Sequence, residues 1–170
     1  MKRIGLLSDT HSRLDESIFT HFAECDEIWH AGDIGDIAVA DTLEGFRPFR
    51  AVYGNIDDAK VRRAFPLNLS FVCEGVSVFM THIGGYPGRY TPRVRAILQD
   101  LRPKLYICGH SHILKIMPDR KLNNMLHINP GAAGNHGFHQ VKTLVRFTLD
   151  KGDIRDLEVV ETGRRGEIIR

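Results

Sequence analysis

The sequence predicts an α/β protein, a four-layer α/β/β/α sandwich with two mixed sheets packed face to face and helices outside. Three observations predict it. Apolar runs of strand length alternate with helix-like segments early in the chain, the pattern of a largely parallel sheet with right-handed crossovers. Two glycine turns, Glu74-Gly75 and Asp150-Lys151-Gly152-Asp153, join apolar runs as hairpins and add a second, more antiparallel sheet. Polar residues with metal affinity stand at the downstream ends of five of the runs, where open α/β sheets place their ligand sites.

The first strand is Ile4–Leu7, ended by Ser8-Asp9. A helix-like segment, Asp15–Glu24, leads to Ile28–Trp29, and a second, Ile37–Glu44, leads to Ala51–Tyr53. Leu69–Cys73 and Val76–Met80 form the first hairpin, and Pro92–Leu101 is a helix before Leu105–Cys108. Ile113–Met117, Leu126–Ile128, Thr143–Leu149 and Ile154–Val160 complete the strands. Residues 1–162 make one domain. From Gly163 apolar periodicity is lost, so 163–170 is expected to fray as a tail, with Ile168-Ile169 able to dock on a neighbour.

Composition excludes several classes. At 170 residues the chain can bury roughly 70% of its unfolded surface in one core and needs no covalent staples. A net charge of +2 is too small for an obligate nucleic-acid surface. Cys25, Cys73 and Cys108 are odd in number and widely spaced, so they read as reduced, buried thiols. Met1-Lys2-Arg3 precedes too short an apolar run for an export signal, and no stretch reaches transmembrane length. The expected location is cytoplasmic, away from membranes, and a homo-oligomer is compatible with the sequence.

The chemistry lies in Asp9, His11, Asp33, Asn55, His82, His110 and His112. Period-two alternation on an extended backbone would turn Asp9 and His11 to one side, and likewise His110 and His112 around Gly109. Gly32 and Gly54 let the chain turn so that Asp33 and Asn55 point inward, and Asp33 has two oxygens with which to bridge two ions. Taken singly, each segment also reads blandly: a turn Asp with a surface His, a Gly-Asp loop, an Asn cap, a satisfied rim His. Their shared position at strand ends favours one crevice holding two divalent ions about 3.5–4 Å apart, a hydrolytic centre for phosphoesters. His30 falls on the other side of the alternation and reads as packed. Asp57 or Asp58 is expected to cap a short helix, and Gly84-Gly85 allows backbone N–H groups near an anion. Arg89, Arg93 and Arg95 read as a solvated helix start, Tyr86–Tyr90 as a lid or subunit contact, and Asn129–Gly134 as a loop over the same edge.

In this order, Asp9-x-His11, Gly32-Asp33, Gly54-Asn55, Thr81-His82 and Gly109-His110-x-His112 resemble the calcineurin-like metallophosphoesterases. The length and Asn129-Pro130-Gly131 are similar to the small prokaryotic phosphodiesterase branch and to the metallophosphoesterase-like subunit of retromer. The resemblance implies that Asp9, His11, Asp33 and His112 hold one ion and Asp33, Asn55, His82 and His110 the other. It also implies catalytic roles for Asp33, Asn55 and His82, with a bridging hydroxide attacking phosphorus in line. The mixed N/O donor set suits Mn, Fe, Zn, Co or Ni, and the resemblance favours Mn. Many relatives carry His directly after Gly-Asn, where this chain has Ile56. That departure favours a small phosphodiester substrate. The alternatives are a phosphomonoester or nucleotide phosphatase, and a non-catalytic protein-binding scaffold on the same fold.

Overall fold

The computed structural model describes residues 1–166. In chain order its first half comprises β1 (Lys2–Leu7), α1 (Ser17–His21), β2 (Glu27–His30), α2 (Ile37–Phe46), β3 (Phe49–Ala51), α3 (Ala59–Ala64), β4 (Asn68–Cys73) and β5 (Val76–Thr81). There follow α4 (Pro92–Leu101), β6 (Leu105–Ile107), β7 (Lys115–Asp119), β8 (Met125–Asn129), β9 (Val141–Asp150) and β10 (Asp153–Arg164), with a 3-10 turn at Arg120–Leu122. One sheet runs β10-β9-β1-β2-β3 and the other β4-β5-β6-β8-β7. Both are mixed: β1, β2 and β3 are parallel, as are β5, β6 and β8, while the flanking strands are antiparallel.

Burial separates the layers. Ile4, Leu6, Trp29, Val78, Met80, Ile107, Ile128 and Phe147 come from both sheets and form the core between them. On the outer face of the first sheet, Leu7 and Ile28 meet Ile18, Phe22, Val39, Leu43 and Val61 from the helices. On the outer face of the second, Phe79 and Tyr106 meet Val94 and Leu98 of α4. The fold is thus the predicted α/β/β/α sandwich. Each buried aliphatic or aromatic side chain contributes about 1.5–3 kcal/mol, which lets the strand ends serve chemistry instead of packing.

Both expected hairpins form, with Glu74, Gly75, Lys151 and Gly152 all at positive φ, as two-residue turns of matching twist require. The second hairpin does not extend the second sheet, however. β9 pairs with β1, opposing Ile4 to Phe147, so the C-terminal strands widen the first sheet. Alternation reports which residues face a core but not which sheet the strand joins. The expected Asp15–Glu24 helix contracts to α1, and fully buried Lys142 reaches from β9 to pair with Asp15 before it. Gly163 and Arg164, read as tail, continue β10 opposite Lys142 and Val141. Ile168-Ile169 lies outside the described residues. Among those described, no helix is long and apolar enough to cross a membrane.

Candidate metal centre

Parallel pairing within each sheet sends the ends of β1, β2, β3, β5 and β6 to one edge. Backbone hydrogen bonds then stitch the loops together: Asp9 N–H to Gly32 O at 3.0 Å, His11 N–H to Asp33 O at 3.1 Å and Gly109 N–H to His82 O at 3.0 Å. The seven predicted residues gather in one crevice. Asp9, Asp33 and His82 are buried at its floor, His11 and His112 are half-buried, and Asn55 and His110 stand exposed at the mouth.

Their convergence does not come from extended alternation. Asp9, His11, Asp33, His110 and His112 have φ of 54°, 45°, 55°, 73° and 63°. Left-handed backbone costs a non-glycine residue roughly 1–2 kcal/mol, and such strain concentrates where a side chain must be aimed. Close approach supplies a second constraint. A Cβ on Gly54 would lie 2.0 Å from Asp33 Oδ1, and one on Gly109 would lie 2.2 Å from Ser8 Oγ.

Two triads of donors result. Ligand atoms of Asp9, His11 and His112 lie within 4.8 Å of one another, and so do those of Asp33, His82 and His110. Asp33 Oδ2 stands 3.4 Å from His11 Nε2 and 3.1 Å from His82 Nε2, so it faces both triads. Asn55 Oδ1 is 3.1 Å from His110 Nδ1.

The protons show what the crevice is built to hold. His82 Nδ1 is 2.8 Å from Ala31 O, an acceptor only, so Nδ1 carries the hydrogen and Nε2 turns a lone pair toward Asp33. His139 Nε2 likewise donates to Gly134 O at 2.7 Å, which leaves His139 Nδ1 to accept from His112 Nδ1–H at 3.2 Å. His112 Nε2 then points its lone pair at Asp9 Oδ1, 3.2 Å away. A lone pair facing a carboxylate oxygen needs a metal cation or a proton between the two. Asp9 Oδ1, His11 Nε2 and His82 Nε2 are all buried without a hydrogen-bond partner, which a neutral crevice would not tolerate. Electrostatics agree. Burial opposes ionisation of Asp33, but the His11 and His82 side chains and the Ile56 N–H outweigh it and hold the carboxyl well below its usual range. Burial disfavours a charge on His82, yet Asp33 and Asp9 raise its pKa, so the local field favours positive charge. The residues present therefore fit divalent metal.

Several contributors were invisible in the motifs. Asp57 caps nothing; its carboxylate accepts from Ile34, Gly35 and Gly54 N–H at 3.2, 2.8 and 2.7 Å, tying the Asp33 and Asn55 loops together. Asp58 caps α3. Asn129 donates to Gly109 O at 3.0 Å and Ser111 Oγ at 3.1 Å, giving the Asn129–Gly134 loop a role in holding the His110–His112 turn. His136 stacks on His11 with centroids 4.7 Å apart, and His139 contacts His112 edge-on. Only their clustering in Asn135–Gln140 offered a signal.

Other expectations sort cleanly. His30 is fully buried between Thr10 and Gly32, and burial pushes its pKa down to about 3. Gly84 and Gly85 leave no room for a Cβ beside Tyr106 and Arg89. Arg93 is not simply solvated; it donates to Asn68 Oδ1 at 2.7 Å and Ile83 O at 3.1 Å. The three cysteines are free and buried, and burial raises Cys108 to about 12, so no thiolate competes as ligand.

Sequence and fold are similar to those of known proteins. The calcineurin-like phosphoesterase superfamily domain matches residues 1–152. A probable metallophosphoesterase of Methanothermobacter thermautotrophicus is 30% identical over 165 residues, covering 94% of this chain and 92% of the relative. Among solved structures, Vps29 of Chaetomium thermophilum has a TM-score of 0.74 at 13% identity, covering 97% of this chain and all 100% of that one. An archaeal phosphodiesterase has a TM-score of 0.73 at 21% identity, with 93% and 99% covered; at such identities the likeness is one of fold. Sequence, fold and a crevice shaped for cations agree that this chain belongs to the calcineurin-like phosphoesterase superfamily, metal-dependent hydrolases of phosphoric esters.

Proposed function

We propose that the chain is a phosphodiesterase that hydrolyses a small phosphodiester at a two-metal centre, in the cytoplasm. One observation carries this reading: three buried donor atoms, Asp9 Oδ1, His11 Nε2 and His82 Nε2, lack partners and converge with Asp33 between two triads. Asp9, His11 and His112 would hold one ion, His82, His110 and Asn55 the other, and Asp33 would bridge. Mixed imidazole and carboxylate donors suit Mn, which we favour, and also Fe, Zn, Co and Ni. Bound ions would polarise the phosphoryl oxygens and lower the pKa of an attacking water.

The chain's own groups set the rest. Asp33 is held ionised, His82 is oriented by Ala31 O, and Asn55 lies at the mouth beside His110. Ile56 cannot protonate a leaving oxygen, so esters with acidic leaving groups should react best. Two clefts support a diester over a monoester. One, of about 630 Å³, passes His82, Asn55 and Arg93; the other, of about 300 Å³, lies beside His110, leaving room for an organic group on each side. The archaeal phosphodiesterase of like fold agrees with this choice.

The test is metal analysis with turnover. Stripped protein reloaded with Mn, Fe, Co, Ni or Zn should hydrolyse bis(p-nitrophenyl) phosphate faster than p-nitrophenyl phosphate, and an aryl diester faster than an alkyl one. Asp33→Ala should abolish turnover while the chain stays folded by circular dichroism. Full activity in that variant would sink the bridging role. Phosphomonoester activity exceeding the diester would favour the phosphatase alternative. A protein-binding scaffold has one observation in its favour, the fully exposed Phe138 on the loop beside His139, and uptake of metal with no turnover on any ester would favour it.

A further inference from the structure

Two arginines beside the metal centre carry charges that no carboxylate among the described residues neutralises. Arg62 donates through Nε to Asp57 O at 2.7 Å and through Nη2 to Asn55 O at 3.2 Å, and its guanidinium lies over the Tyr53 ring, 4.8 Å from the centroid. Arg93 donates to Asn68 Oδ1 at 2.7 Å, and to Thr81 Oγ1 and Ile83 O at 3.1 Å each. All of these partners are neutral. Arg3, Arg13, Arg50, Arg146 and Arg155, by contrast, each meet a carboxylate. A guanidinium stays protonated at any working pH, so both positive charges persist. Anchoring to backbone also fixes where they stand, because Arg62 holds the carbonyl of Asn55 itself and Arg93 that of Ile83, next to His82.

Both line the cleft of about 630 Å³ that His82 and Asn55 join to the metal centre. That volume falls in the range of small-molecule sites and holds far more than a phosphoryl group. Tyr53, Leu67, Ile83 and Pro92 give it apolar surface for the body of an ester arm, and no carboxylate among the described residues lines it. A guanidinium has five N–H groups, of which Arg62 commits two and Arg93 three, so each retains donors for an incoming oxyanion. Such planar forks suit phosphate, and side chains already held in place lose less freedom on binding it. The cleft beside His110 differs. Among the described residues its one lysine or arginine is Lys115, whose ammonium rests 3.6 Å over the Tyr86 ring.

We propose that the cleft lined by Arg62 and Arg93 is the subsite for an ester arm that carries a second phosphate, so that the preferred substrate is a phosphodiester with a further phosphate on one arm. The proposal rests on the phosphodiesterase reading and specifies its substrate class. Two esters that differ by one phosphate test it: thymidine 5′-(p-nitrophenyl phosphate) and its 3′-phosphorylated counterpart. Both release p-nitrophenolate, so the leaving group and the missing acid at Ile56 cancel in their ratio. With the Mn-loaded full chain, kcat/KM should favour the 3′-phosphorylated ester about tenfold or more, and the ratio should shrink as added salt screens the charges. Arg62→Gln and Arg93→Gln should each lower the ratio about fivefold, the upper end for an exposed ion pair. Arg62→Lys, which keeps the charge, should retain most of it, and Lys115→Met should leave it unchanged. Calorimetric titration with thymidine 3′,5′-bisphosphate against thymidine 5′-monophosphate reads the same preference without turnover. Equal kcat/KM for the two esters overturns the proposal, and so do arginine variants that slow both esters alike, which would put the guanidiniums on the reacting phosphoryl group. A ratio that falls with Lys115→Met and not with the arginine variants overturns it in favour of the other cleft. No turnover of either ester, with the bisphosphate still bound more tightly and the arginine variants narrowing the difference, would sink the phosphodiesterase reading and leave the subsite standing.

Discussion

His139 is expected to set the affinity of the centre for metal although it does not face the crevice floor. Its Nε2–H is fixed on Gly134 O at 2.7 Å and its Nδ1 accepts from His112 at 3.2 Å, which forces His112 to present Nε2 as a bare donor toward Asp9. Burial lowers the His139 pKa and so maintains the neutral acceptor that the relay requires. His139→Phe removes a hydrogen bond worth about 1 kcal/mol and leaves a half-buried His112 Nδ1–H unpaired for about 1 kcal/mol more. A sum of about 2 kcal/mol is roughly 30-fold in affinity, inside the roughly 10–100-fold loss usual when the outer partner of a metal-bound imidazole is deleted. The assay is competition of metal-free protein with a chromophoric chelator for Mn²⁺ or Zn²⁺. His139→Gln retains an acceptor oxygen and should recover part of the loss. Parent-like affinity in His139→Phe, or equal loss in both variants, would refute the orientation argument.

Gly54→Ala places a Cβ 2.0 Å from Asp33 Oδ1 and 2.4 Å from Asp33 N, so the carboxylate must move; kcat/KM on bis(p-nitrophenyl) phosphate should fall about 100-fold, as for a displacement near 1 Å, and a value within threefold of the parent would contradict this. Asp15→Ala strands Lys142, which is 0% exposed. Urea denaturation should show a loss of about 3–5 kcal/mol, whereas the double change Asp15→Leu with Lys142→Met should be close to neutral. His127 is neutral in the fold down to about pH 4 but takes a proton near 6.5 when unfolded, so the unfolded state binds more protons in that window. Stability therefore falls as pH drops through it, by about 1.4 kcal/mol per pH unit for this group. Between pH 7.5 and 5.0 the parent should lose about 2 kcal/mol more than His127→Phe, and parallel pH profiles would remove the assignment.

The motif residues were legible because each one follows an apolar run, and a parallel strand must deliver its end to the same sheet edge as its neighbours. Asp57 and His139 were not legible. Asp57 looks like any helix-cap aspartate beside Asp58, and only the fold brings the Ile34, Gly35 and Gly54 N–H groups to its oxygens. His139 lies 27 residues from His112 along the chain, a separation at which no local pattern reports contact. The alternation argument placed Asp9 with His11 and His110 with His112 for an incorrect reason, since all four are aimed by left-handed backbone rather than by strand pleat.

By itself the sequence determined the layered α/β architecture, the hairpin turns, the seven candidate ligands and the absent acid at Ile56. Each follows from local physics, through apolar period, glycine conformation and side-chain donor type. Tertiary structure alone decided that β9 and β10 join the first sheet and that His82 turns Nδ1 to Ala31 O and Nε2 to Asp33. It also decided that Asp33 stands between the His11 and His82 rings. Those outcomes depend on contacts between segments far apart in the chain, whose geometry is set by how the two sheets pack and not by any neighbour in sequence.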